Sequence, residues 1–287
     1  MLRHYGVEAS QGTDGRSPLV YALFIQNLWH SSTPFVPALT VTWSLAIEEQ
    51  FYVVWPALVF FLSPKALRWM LVVVLVISPL GRALALHEGV PGIALYVNTL
   101  SRLDGLAIGC LLAVWIHLGL FTRDQLKRVS LVAFVAGGIA SCALIPAYIT
   151  QPANPLAFSA LALAFCGFVG LALTSSLEVG WLGRGLASRG LRYLGTISYC
   201  VYLIHLPIFL LVARVFKNSL GGLQQTVFRD FLFLVVAFGL TCGVAAASWH
   251  FFEQPILRLK GKFASSKGRV KTVSVYCSPG ASAQLAD

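Results

Sequence analysis

Apolar residues run through this chain in long, nearly unbroken stretches with polar residues confined to short gaps. Seven stretches, near residues 43–62, 67–86, 102–120, 129–148, 156–177, 193–214 and 229–252, have about the 20-residue length a helix needs to cross a hydrocarbon core about 30 Å thick. Ser63-Pro64, Glu88-Gly89-Val90-Pro91-Gly92, Pro152 to Pro155 and Gly221-Gly222 separate them, and these residue types end helices rather than continue them. The pattern predicts an all-α, polytopic transmembrane helical bundle with about seven spans. A further apolar run, Leu19 to Trp29, is too short to cross and is followed by Pro34 and Pro37. No small-residue cleavage site marks it as a signal peptide. Residues 1–42 are therefore read as an outer-face loop able to dip into the membrane, 43–257 as the transmembrane domain, and 258–287 as a basic, disordered tail.

Composition agrees. The 287 residues are 57% hydrophobic and 11% charged, with a mean hydropathy of +0.77, whereas soluble domains carry roughly 25% charged residues. So few charges cannot give every apolar segment a solvated face, which excludes a soluble enzyme and a disordered chain alike. A net charge of +10 suggests nucleic acid only until the charges are located. Six basic residues, from Arg258 to Lys271, lie in the last thirty positions, and others occupy alternate loops. Lys65 and Arg68 mark one side; 87–101 has no Lys or Arg; Arg123, Lys127 and Arg128 return to the first side. The loop 149–155 has none, 178–192 has Arg184, Arg189 and Arg192, and 215–228 has only Lys217. Under the positive-inside rule the chain is a multi-pass protein of the cell membrane with a cytoplasmic carboxyl-terminal tail and no nucleic-acid partner. Trp43 to Glu49 and Arg102 to Asp104 then lie near the outer face. A loop outside also wants an odd number of crossings before it, or translocation of the amino terminus itself. Cys110, Cys142, Cys166, Cys200 and Cys242 sit in apolar runs and read as small buried packing residues, with Cys277 in the tail. No pair has CxxC spacing, so neither a metal site nor a disulfide framework is expected.

Ionisable groups at lipid depth are costly, and those that remain usually face a cavity or a partner. The run Trp43 to Trp55 places Glu48, Tyr52 and Trp55 on one helical stripe. Either Glu48 and Glu49 merely complement a helix N-terminus beside an aromatic belt, or the stripe lines a site. In Arg102-Leu103-Asp104-Gly105-Leu106-Ala107-Ile108-Gly109 a GxxxG spacing suggests close helix approach. Arg102 then either reaches Glu48 or an anionic substrate, or snorkels to the headgroups. Ser198, Tyr202 and His205 share one face of the sixth span, an alignment packing alone does not ask for, although Pro207 can simply kink the helix. His30, His87 and His117 read as loop or interfacial residues, and Gly239 with Gly243 as a close-packing pair.

Together, Trp43-Ser44-Leu45 with Glu48 and Phe51-Tyr52, the run Arg102 to Gly109, Ser198-Tyr199 with Tyr202-Leu203 and His205, and Glu253 before Pro255 resemble the bacterial acyltransferase-3 family, polytopic membrane enzymes that O-acylate sugars. The resemblance covers about residues 20–257 and makes 43–257 an acyltransferase-like domain. It implies an O-acyltransferase moving an acyl group, usually acetyl, from cytoplasmic acyl-CoA to a hydroxyl of a cell-envelope carbohydrate or lipid-linked sugar acceptor. Acyl-CoA is a co-substrate, and no bound cofactor or metal is implied. Glu48 and His205 become the catalytic residues, with Glu48 orienting or charge-balancing a base. Trp43, Ser44, Tyr52, Arg102, Ser198 and Tyr202 become substrate-binding residues, Arg102 facing an anionic group. Members of the family normally open with additional spans carrying a basic residue and a histidine that serves as general base. That pair is absent from this amino terminus, so the expectation is a truncated chain that lacks the family's expected base. A transporter or flippase is the rival reading, weakened by the lack of an internal repeat and of paired broken spans; a non-catalytic degenerate homologue is the third.

Overall fold

A computed structural model of the chain describes residues 18–28, 39–150, 154–175, 181–220 and 227–263. Most of the expected 1–42 loop, including His30, lies outside the described residues, as do Gly221-Gly222, Cys277 and the tail beyond Phe263.

Every described element is helical: α1 (Pro18–Ala22), α2 (Thr42–Phe61), α3 (Pro64–His87), α4 (Gly92–Val97), a 3₁₀ turn (Leu100–Arg102), α5 (Leu103–His117), α6 (Arg123–Thr150), α7 (Ala157–Ser175), α8 (Trp181–Leu186), α9 (Arg189–Leu220), α10 (Val227–Ser248), a π turn (Trp249–Glu253) and α11 (Gln254–Phe263). Seven helices among the described residues are long and apolar enough to cross a membrane, in the places the hydropathy pattern gives. Local chemistry sets their ends. Ser63 caps α3 by accepting the Ala66 N–H at 3.2 Å, with Pro64 next in the first turn. Gly89 (φ 78°) and Gly119 (φ 62°) end α3 and α5 in the left-handed region. There Val90 N–H bonds Ala85 O and Leu120 N–H bonds Trp115 O, closing the last turns. Two boundaries differ from expectation. The fourth span begins at Arg123, and the last continues through the π turn to Leu259, so the first residues of the expected tail, through Phe263, are helical. Basic side chains at both ends tolerate a helix that emerges from the apolar layer, so hydropathy underestimates its length.

α3 and α5 share a core of Leu67, Leu71, Ala107, Leu111 and Val114, with Trp55 of α2 against it. α9 and α10 meet through Ile197, Cys200 and Ala245, and again through Ile208, Val212 and Ala237. Outward-facing residues remain apolar: Phe60 is 82% exposed and Phe61 79%, as lipid-facing side chains are. Of the cysteines, Cys200 is buried, Cys110, Cys166 and Cys242 are half-buried and Cys142 is exposed, so burial holds fully for Cys200 alone. An apolar span with lipid on one face has no reason to turn a thiol inward.

The closest helix contact is also not where GxxxG spacing suggests. α6 and α7 are the most intimately packed pair. A Cβ on Gly137 would lie 2.5 Å from Ala164 N, and one on Gly167 would lie 2.4 Å from Phe134 N. By contrast, an added Cβ at Gly109, Gly239 or Gly243 meets nothing within 4 Å, and one at Gly105 meets only Ala162 Cβ at 4.0 Å. Spacing identifies a smooth helix face but not whether another helix covers it. Gly167→Ala is expected to destabilise the detergent-solubilised chain by about 1–3 kcal/mol through overpacking. Gly239→Ala should instead be neutral or stabilising by up to ~1 kcal/mol, because helix propensity improves without a clash. Thermal unfolding of the two variants side by side checks the contrast.

Candidate active site

Arg102 ends the 3₁₀ turn before α5, and three elements bring aromatic rings to it. Its guanidinium carbon lies 4.1 Å from the ring centroid of Phe158 (α7), 5.6 Å from Tyr96 (α4) and 5.8 Å from Trp43 (α2). Trp43 and Tyr96 also pack on one another at 4.7 Å, and Tyr96 meets Phe158 at 5.6 Å. Ring faces attract a cation electrostatically while offering it no compensating anion. The cluster therefore holds Arg102 in place over three aromatic rings.

Next to Trp43, Ser44 in the first turn of α2 shares a short hydrogen bond with the hydroxyl of Tyr202 in α9. Tyr202 also donates to Val41 O at 3.2 Å. One turn on, the His205 ring lies 5.6 Å from the Tyr202 ring, and its Nδ1 bonds the Tyr202 carbonyl. A carbonyl only accepts, so Nδ1 carries the hydrogen. In the neutral imidazole Nε2 is then the lone-pair nitrogen. His205 is exposed.

Three other sequence candidates stand apart from these contacts. Glu48 is exposed one turn after Ser44. It joins Glu49 and Glu253 in the electrostatic surroundings of Tyr199. Tyr52 is 57% exposed and its ring meets Phe51 edge-on at 6.1 Å. Ser198 donates back to Gly195 O of its own helix at 2.8 Å, a bond that accounts for a serine at lipid depth without a ligand. Trp43 with Arg102, and Ser44 with Tyr202 and His205, are thus brought together, joined through the adjacency of Trp43 and Ser44. Among the described residues no group of three or more His, Cys, Asp or Glu side chains is gathered closely enough to hold a metal ion.

Sequence reasoning missed two buried polar clusters beside this site. Arg82 of α3, 1% exposed, forms a two-pronged ion pair with Asp104 at 3.0 and 2.7 Å. It also donates to Pro155 O at 2.8 Å, Ser159 Oγ at 2.7 Å and Ser101 O. Ser159 in turn donates to Asp104 at 2.5 Å. The signal was present: a lone arginine inside an apolar span is itself a reason to seek a partner. The second cluster pins the segment after α1. Gln50 donates to Phe24 O at 2.6 Å and Asn27 Oδ1 at 2.9 Å. Asn27, fully buried, donates to Thr99 Oγ1 at 2.7 Å, and Thr99 donates to Gln50 Oε1 at 2.6 Å. Gln26 donates to Thr42 O at 2.9 Å, so the entry to α2 and the loop before α5 are tied to one short segment.

A family profile described as an acyltransferase domain matches residues 9–250 of the chain. Relatives with curated names include the putative peptidoglycan O-acetyltransferase YrhL of Bacillus subtilis, 31% identical over 243 residues that cover 79% of this chain and 36% of the relative. The peptidoglycan O-acetyltransferase OatA of Listeria monocytogenes is 28% identical over 222 residues, 75% of this chain and 34% of the relative. The O-acetyltransferase OatA of Staphylococcus aureus is 28% identical over 265 residues, 86% and 42% respectively. The matched region therefore spans well under half the length of each of these relatives. No solved structure matches the chain.

Proposed function

Because the chain belongs to the acyltransferase-3 family of membrane acyltransferase domains, we propose that it transfers an acetyl group from acyl-CoA to a hydroxyl of a cell-envelope carbohydrate, peptidoglycan being the acceptor class its relatives' names carry. The observation that supports this most directly is the hydrogen bond from His205 Nδ1 to the Tyr202 carbonyl, which leaves Nε2 as a proton acceptor one turn along α9 from Tyr202, whose hydroxyl meets that of Ser44. In the proposed reaction Nε2 takes the proton of the acceptor hydroxyl as its oxygen attacks the thioester carbonyl. The Tyr202 and Ser44 hydroxyls donate hydrogen bonds to the oxygen that becomes negative. Collapse of the tetrahedral species expels the coenzyme A thiolate, which receives the proton from the imidazolium, and leaves the ester on the carbohydrate. Trp43 supplies a ring face for a sugar, and Arg102 holds an anionic group. The alternation of basic loops orients the carboxyl-terminal tail toward the cytoplasm.

The purified chain supplied with isotopically labelled acetyl-CoA and peptidoglycan fragments is expected to release one free thiol for each alkali-labile acetyl ester formed on the fragments. Solute accumulation in proteoliposomes without ester formation would replace this reading by transport. Neither signal from a folded chain would make it a binding protein.

A further inference from the structure

Three side chains from three parts of the chain close a ring of hydrogen bonds. Asn27 Nδ2 donates to Thr99 Oγ1 at 2.7 Å, Thr99 Oγ1 donates to Gln50 Oε1 at 2.6 Å, and Gln50 Nε2 donates to Asn27 Oδ1 at 2.9 Å. The second hydrogen of each amide goes to a backbone carbonyl, from Asn27 to Val97 O at 3.2 Å and from Gln50 to Phe24 O at 2.6 Å. A carbonyl only accepts, so these two bonds fix which way both amides face, and with them the single direction in which donors run around the ring. Both amides and the Thr99 hydroxyl thus spend every hydrogen they have, in a place where Asn27 is fully buried and Val97 2% exposed. Phe24, which supplies one of the carbonyls, has φ 54°, and a bulky residue stays in the left-handed region only where its surroundings over-determine it.

The ring touches each element that carries a ring face or a cation of the aromatic cluster. Gln50 stands seven residues, two turns, beyond Trp43 on α2, and Val97 follows Tyr96 at the end of α4. Thr99 leads into the 3₁₀ turn, where its carbonyl accepts the Arg102 N–H at 3.0 Å. We propose that Asn27, Gln50 and Thr99 form a positioning clasp that sets the contact between Trp43 and Tyr96, and through it the grip on the carbohydrate acceptor. Apolar side chains of the same size would also hold these elements together, but hydrophobic burial is non-directional and tolerates sliding. A closed ring of directed bonds does not, because any shift of α4 against α2 leaves a buried donor or acceptor unmade. α4 needs that constraint: it is six residues long with no side chain capping its first turn, too short to hold its own shape. Trp43 and Tyr96 meet at 4.7 Å and 56°, and Ser44, next to Trp43, meets Tyr202, so an error at the clasp reaches both halves of the site. The three residues act through Trp43 and Tyr96, and their role rests on the ring face for a sugar proposed above for Trp43.

Thr99→Val and Gln50→Met remove ring members at nearly constant size, whereas Thr99→Ser keeps the hydroxyl. In the purified full chain, the difference in near-ultraviolet circular dichroism between each protein and its own Trp43→Phe form isolates the Trp43 signal without any acyl transfer. That signal is expected to fall at least twofold in Thr99→Val and Gln50→Met and to be kept in Thr99→Ser. With labelled acetyl-CoA and peptidoglycan fragments, KM for the fragments should rise roughly tenfold in the two apolar variants, the scale of one hydrogen bond. Their kcat and their KM for acetyl-CoA should stay within about twofold, and Thr99→Ser should restore the fragment KM. A merely structural role would lower the folded fraction, and so kcat, with KM in place. A fragment KM within about twofold of normal in both folded apolar variants, or an unchanged Trp43 signal, would overturn the proposal. If no chain forms ester, the transferase reading fails by itself, and the clasp then stands or falls on the Trp43 signal.

Discussion

Arg82→Met is expected to lower the stability of the detergent-solubilised chain by about 3–5 kcal/mol, the largest effect of any single substitution outside the candidate active site. Asp104 is 2% exposed and receives both prongs of the guanidinium. Without Arg82 its carboxylate stays at lipid depth with the Ser159 hydroxyl alone from that network, while Ser101 and Pro155 lose a donor to their carbonyls. The consequence reaches the site, because Asp104 lies two residues after Arg102 and Ser101 directly precedes it. A misplaced 3₁₀ turn moves Arg102 off the Phe158 ring. Arg82→Lys should give an intermediate loss, since an ammonium keeps the charge but cannot match the carboxylate fork and the two carbonyls together. The pairing itself is measured by the double variant Arg82→Met with Asp104→Leu. It is expected to recover much of the stability, because removing both partners leaves no unpaired buried charge. Chemical or thermal unfolding of the four proteins checks this, and additive losses in the double variant would show that the two residues act independently.

His205→Ala is expected to reduce acetyl transfer by roughly a hundred- to ten-thousandfold, the usual contribution of a positioned general base, with expression and unfolding temperature little changed because the imidazole is exposed. The loss should fall on kcat more than on KM, since proton removal belongs to the transition state. His205→Gln distinguishes proton transfer from hydrogen bonding. An amide can reproduce a donor toward the Tyr202 carbonyl but cannot carry the proton away, so Gln should be nearly as damaging as Ala. Tyr202→Phe removes the hydroxyl that meets Ser44 and the Val41 carbonyl and should cost less than His205→Ala, as one oxyanion donor of two. A His205→Gln enzyme with near-normal turnover would remove His205 from the chemistry, whatever the acceptor.

The legible parts of this protein share a physical cause. Span number and position follow from hydropathy, because a segment's partition between water and lipid sums over its own residues and needs no knowledge of neighbours. Turns follow likewise, as at Gly89 and Gly119, where a left-handed backbone restricts the residue type locally. The stripe Tyr202–His205 was legible because one helix carries both residues. Ser198 shares that stripe, yet its hydroxyl is satisfied within one turn, a choice between partners that helical spacing leaves open. Arg102 was recognised, but its three rings come from α2, α4 and α7, and periodicity within one helix says nothing about rings on others.

Glycine spacing failed for the same reason, marking the uncovered faces at Gly109 and Gly239 as readily as the tight contact at Gly167. Sequence alone thus determined a seven-span helical membrane chain, its family, and a short list of polar residues too costly for lipid to be accidental. Tertiary structure alone decided which of them meet: Arg82 with Asp104 across 22 positions, Ser44 with Tyr202 across 158. Solvation energy is local and additive along a chain, whereas hydrogen bonds and ion pairs depend on the packing of helices whose order in space hydropathy does not encode.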